Sequence, residues 1–151
     1  MTKPVRQPEQ VIDTLNNLIE TCRDGQNGFL EAAENLENPQ FKTFCNERSR
    51  ERANYVTELQ SEVRSLGGDP EQEGSTSAAI HRAWMDLKSS LGGGDKAILS
   101  SIESGEDSAV EQYQEALEEN LPVNLRSIIE RQYQEVRRSH DQVKVMRDSL
   151  K

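Results

Sequence analysis

Apolar residues recur every three or four positions along most of this chain, the period of one face of an α-helix. Val11, Leu15, Leu18, Cys22, Gly25, Phe29, Ala33 and Leu36 mark a first long helix over residues 8–37. Phe41, Phe44 or Cys45, Arg48, Arg52, Tyr55, Leu59 and Val63 mark a second over residues 39–66. Pro39 falls in its first turn, where a missing N–H costs nothing. The stretch GGDPEQEGSTS then reads as a loop. A shorter helix over residues 77–91 follows, with Ile80, Trp84, Leu87 and Leu91 on one face. The third long helix, residues 96–120, carries Ile102, Ala109, Val110, Tyr113, Ala116 and Leu117, and Asp95 is its expected N-cap. Beyond Leu121 and Pro122 a fourth, residues 122–149, buries Leu125, Ile128 or Ile129, Gln132, Val136, Val143, Met146 and Leu150.

Tight links make the first two long helices one antiparallel hairpin and the last two another. The intervening segment spans about 28 residues, and its short helix covers roughly 22 Å. That length carries the chain back to the other end, leaving the second and third long helices parallel. The pattern therefore predicts one all-α domain over residues 1–151, a four-helix bundle of two hairpins joined by a helical crossover.

Composition narrows this further. Hydrophobic residues make up only 33% and charged residues 30%, so any core is a narrow stripe along amphipathic helices. The net charge of −9 argues against a nucleic-acid binder, since phosphates need a basic face. No apolar run approaches a membrane span, and MTKPVRQPEQ lacks the apolar centre of a signal peptide, so a cytoplasmic location is expected. Cys22 lies about 16 residues before the first turn and Cys45 about 6 after it, a height difference of roughly 15 Å. That separation argues against a disulfide and for two buried thiols.

The third long helix interrupts its own pattern. In SIESGEDSAVEQYQEAL, Gly105 and Glu106 stand where another leucine would continue the stripe. Aligning DGQNGFLEA with SGEDSAVEQ sets Gly25 on Gly105, and Phe41, Phe44 and Glu51 align likewise with Leu125, Ile128 and Glu135, as in a duplicated hairpin. Arg48, Glu51 and Arg52 on the second long helix and Gln132, Glu135 and His140 on the fourth fall at a similar height. A polar layer across the core follows, with Gly25 and Gly105 as spacers that admit a neighbouring helix or a large side chain such as arginine.

Two hairpins with a long crossover and polar residues at mid-height resemble the ferritin-like superfamily. The segments LNNLIETCRDGQNGFLEAAE, HRAWMDLK and IESGEDSAVEQYQEAL more specifically resemble a bacterial family of four-helix-bundle proteins known only as a domain of unknown function, over roughly residues 9–149. The superfamily resemblance implies a di-iron site of one Glu from each of two helices and Glu-x-x-His from each of the others. Here the second long helix offers Glu51-x-x-Asn54 and the fourth Glu135-x-x-Arg138, both without the histidine. Arg48 and Arg52 lie on the stripe where ligands would sit, and a guanidinium competes with a metal dication for the same carboxylates. The expected site is therefore a metal-free buried layer of Asp24, Arg48, Arg52, Glu103, Glu106 and Gln132. The alternative is an iron or manganese site built from Glu51, Glu106, Glu135 and His140.

Three functional classes follow. The first is a non-catalytic bundle with no cofactor, acting through its surface and able to form homo-oligomers. The second is a ferritin-like di-metal carboxylate protein handling iron, oxygen or peroxide. The third is a binding module using space beside Gly25 and Gly105. His81 and Trp84 pin the crossover to the bundle in the plain reading and form a ligand lid in the sharper one. No catalytic residues are assigned.

Overall fold

The computed structural model describes residues 8–72 and 77–150, and within helix α3 the side chains of Ser77, Ala79 and Ile80 lie outside that description. Residues 1–7 of the stretch used for the signal-peptide reading, and part of the GGDPEQEGSTS loop, lie outside it too. Among the described residues the chain forms five helices and no strand. They are α1 (Pro8–Asn35), α2 (Pro39–Ser65), α3 (Ser77–Ser90), α4 (Asp95–Glu118) and α5 (Val123–Asp148). None is long and apolar enough to cross a membrane.

Local chemistry explains the helix ends. Asn38 caps α2, its side-chain oxygen accepting from the Gln40 and Phe41 N–H groups at 2.8 and 3.2 Å. At the far end Gly67 takes φ +82°, and the N–H groups of Gly67 and Gly68 close back on the Arg64 and Val63 carbonyls. This left-handed stop favours glycine because it has no Cβ.

Two expected boundaries change. The N-cap of α4 is Gly94, and Asp95 is its first residue. The Asp95 carboxylate instead accepts from the Glu37 and Asn38 N–H groups at 2.8 and 3.0 Å, so it ties α4 to the α1–α2 turn. Those amides are free to meet it because α1 stops at Asn35, earlier than the apolar stripe suggests. At the other boundary Pro122 serves as the N-cap of α5, which begins at Val123.

Cross-helix contacts set the directions. Lys42 Nζ donates to the Ala33 carbonyl at 3.0 Å and Ser49 Oγ to the Gln26 carbonyl at 2.9 Å, so α1 and α2 run antiparallel. Tyr113 meets Gln132 and Asp107 meets His140, so α4 and α5 also run antiparallel. Thr14 with Glu119 and Cys22 with Tyr113 make α1 antiparallel to α4. Hence α2 and α4 point the same way. Helix α3 packs on α1 and α4, while α2 and α5 make the sparsest contact of the helix pairs that touch.

The buried apolar residues fall into two groups. One gathers Leu15, Leu18, Cys22, Leu59, Tyr113, Ile129 and Val136. The other gathers Phe29, Leu36, Cys45, Trp84, Leu87, Ile98, Ile102 and Val143. Arg52, Glu106 and Ser139 are fully buried polar residues that, by position along their helices, fall where the two groups meet; Gln132, also fully buried, lies within the first group.

Candidate functional site: a buried polar layer

Arg52 on α2 and Glu106 on α4 define the layer. Arg52 Nη2 donates to Glu106 Oε2 at 2.7 Å, and both side chains are 0% exposed. A buried charge without a partner is prohibitively costly, so each stabilises the other's presence there. The Arg52 guanidinium carbon also lies 5.3 Å from the centre of the Phe29 ring, a cation–π contact. Burial works against the charge on Arg52, but the Glu106 carboxylate and its hydrogen bond outweigh it and hold the guanidinium more firmly protonated than usual.

Glycines make the room. A Cβ on Gly25 would come within 2.8 Å of Arg52 Nη1. A Cβ on Gly105 would come within 2.5 Å of the Trp84 indole, and one on Gly28 within 2.2 Å of the same ring. Trp84 is thus wedged between α1 and α4 with its ring centre 5.7 Å from that of Phe29. The aligned glycines Gly25 and Gly105 therefore serve different partners, an arginine and a tryptophan. Gly28 plays no part in the sequence-based site; its signal is a second helical glycine three residues after Gly25.

A hydrogen-bonded chain leaves the layer toward the surface. The Cys22 thiol meets the Tyr113 hydroxyl at 3.1 Å, and that hydroxyl donates to Gln132 Oε1 at 2.7 Å. Gln132 Nε2 donates in turn to Glu58 Oε1 at 2.8 Å, and Glu58 pairs with Arg131. Burial pushes the Cys22 thiol up to about 11 and the Cys45 thiol up to about 12. Burial likewise lifts the Tyr113 hydroxyl well above the ordinary phenol range. These groups are neutral, and neither thiol has the lowered pKa of a nucleophile.

Other residues expected in the layer are placed elsewhere. Arg48 pairs with Glu51 at 3.7 Å and Glu47 at 3.8 Å on its own helix, and lies over the Phe44 ring. One turn along α2 from Arg52, it is half-buried and meets its local acids first. Asp24 approaches His81 of α3 at 3.5 Å, and Glu103 pairs with Arg147 near the end of α5. Gln132 is fully buried but bonds Tyr113 and Glu58, not the ion pair.

The four metal-ligand candidates do not converge. Glu106 is engaged by Arg52, Glu51 by Arg48 and Glu135 by Arg138. His140 bridges Asp107 at 2.5 Å and Asp141 at 3.1 Å. Among the described residues no three His, Cys, Asp or Glu side chains gather as a metal-holding group. With a guanidinium on each carboxylate, this donor set does not fit a di-iron centre.

Residues 10–119 match the family described as a domain of unknown function (DUF2383). The chain belongs to this family. The match takes in α1 to α4, and so both members of the buried ion pair and the three glycines beside them. No curated protein matches the chain.

Proposed function

We propose that this DUF2383 protein is a single, non-catalytic domain with the ferritin-like four-helix architecture, in which the Arg52–Glu106 pair stands where relatives of that architecture hold metal. It needs no cofactor and acts in the cytoplasm through its surface, as an accessory protein able to self-associate. The observation that carries this reading is the ion pair itself, 2.7 Å long and fully buried between α2 and α4. The parallel course of those helices and the α3 crossover support the architecture. The net charge of −9 argues against nucleic acid as the partner.

The test loads purified protein with ferrous iron under anaerobic conditions, removes the excess and measures iron per chain beside Glu106→Ala. The expected result is no retained iron in either protein. The variant should also lose about 3–5 kcal/mol of unfolding free energy in urea, because Arg52 is left buried and unpaired. Near-stoichiometric iron that Glu106→Ala abolishes would overturn the reading in favour of an iron or manganese carboxylate protein.

A further inference from the structure

We propose that the layer is also an internal hydration site, where about two long-lived water molecules bridge Arg52, Glu106, Ser139 and Trp84. The inference rests on the ion pair being the native occupant of the layer, as proposed above.

Five atoms carry it. Arg52 Nε and Nη1, Glu106 Oε1, Ser139 Oγ and Trp84 Nε1 are buried and make no hydrogen bond. The residues that bear them are 0%, 0%, 0% and 5% exposed. Buried polar atoms in folded proteins almost always have a partner, and each one without costs about 1–3 kcal/mol. Several orphans gathered at one height are therefore a demand for a guest.

The register sets the residues that bear them at a similar height. Glu106 bonds Arg52 directly. Trp84 lies against Gly105, the residue before Glu106. Ser139 precedes His140, which bonds Asp107, the residue after Glu106.

The chemistry selects the guest. Arg52 and Trp84 present N–H groups that need an acceptor, while Glu106 Oε1 needs a donor. These atoms make no hydrogen bond to one another, so the group that bridges them has to both accept and donate. A simple anion has no proton for Glu106, and a cation would face Arg52. Water both accepts and donates. A buried water makes about three hydrogen bonds, so five atoms call for about two.

Polar groups continue along α2 beside the layer. Arg48 and Glu51 lie on α2 within one turn of Arg52, and their side chains are 17% and 21% exposed. Arg48 Nε and Glu51 Oε1 are also buried without a hydrogen bond.

The experiment measures water-to-protein NOE and ROE cross-peaks in nitrogen-15-labelled protein. The Trp84 indole N–H is unambiguous because the chain has a single tryptophan. The expected result is a pair of water cross-peaks of opposite sign at Trp84 Nε1–H and at Arg52 Nε–H, the signature of long residence. Oxygen-17 relaxation dispersion of wild type should show a slow-exchanging component. In R52M/E106L that component should lose the equivalent of about two waters.

Absence of the opposite-sign pair in wild type, or an unchanged dispersion in a folded R52M/E106L, would overturn the proposal. If the double variant does not fold, the wild-type cross-peaks decide alone. Iron uptake would overturn the functional reading whatever the water shows. A dry layer without iron would overturn only this inference.

Discussion

Gly28 and Gly105 show how much one missing methyl decides. Each lies against the Trp84 indole, a rigid ring with no flexible end to move aside. Alanine is the better helix former by about 1 kcal/mol, yet overpacking a tight site costs roughly 1–3 kcal/mol. Gly28→Ala, with the closer approach of 2.2 Å, should therefore destabilise the fold despite its propensity gain. Urea unfolding followed by Trp84 fluorescence measures this, and native emission should shift to the red as the ring is pushed toward solvent. Gly25→Ala meets the tip of Arg52, and the ion pair with Glu106 is what keeps that tip from swinging away. The sequence identified Gly25 and Gly105 as spacers through their place in the apolar stripe. Which side chain fills each space depends on how α2 and α3 dock, which no local pattern encodes.

At the scale of elements, two polar contacts hold helices that apolar packing alone leaves free to slide. Asp95 joins the start of α4 to the α1–α2 turn by accepting two backbone N–H groups. Asp95→Ala should cost about 0.5–2 kcal/mol, the range for losing a helix-capping side chain, read from the urea midpoint. His140 links α5 to α4 through Asp107. Burial works to lower its pKa, but hydrogen bonds and charges from Asp141 and Asp107 outweigh it and raise the value above the ordinary 6.5. A raised pKa in the folded state stabilises the protein fully below pH 6.5, and that stabilisation fades as pH rises through the folded value. His140→Gln should therefore be most destabilising, relative to wild type, near pH 6, and the gap should narrow by pH 8. Unfolding curves across that range check the sign. The sequence read His140 as a residue at the height of the polar layer or a metal ligand. Its partners are its own neighbour Asp141 and, across the seam, Asp107 of α4, the second beyond the reach of a stripe analysis.

The whole molecule consists of two apolar clusters with a polar layer between them, and each cluster holds one cysteine. Both thiols are free and buried, with pKa values pushed up to about 11 and about 12. A thiol attacks as its thiolate, so native protein at pH 8 should react with a disulfide reagent only as fast as it opens. Under denaturing conditions both should react at once. Equal protection of Cys22 and Cys45 would mean that both clusters open together, and faster labelling of Cys45 would place the weaker half at the α3 end. Absorbance of the released thiol, with mass spectrometry to identify the site, separates the two outcomes.

What the sequence determined by itself is everything with a short period. The three- and four-residue spacing of apolar positions located five helices, with ends one or two residues from those observed, and Pro39 and the 67–68 glycines punctuated them. It also marked Arg52 and Glu106 as polar residues on an apolar face, because a charge on a stripe stands out against its own helix. Only the tertiary structure decided which charges meet. A helical stripe fixes a side chain's angle but leaves its height against the next helix open to a turn or more, and a salt bridge needs that height to within an ångström or two. So Arg52 reached Glu106 while Arg48, one turn away on the same face, closed on Glu51 of its own helix.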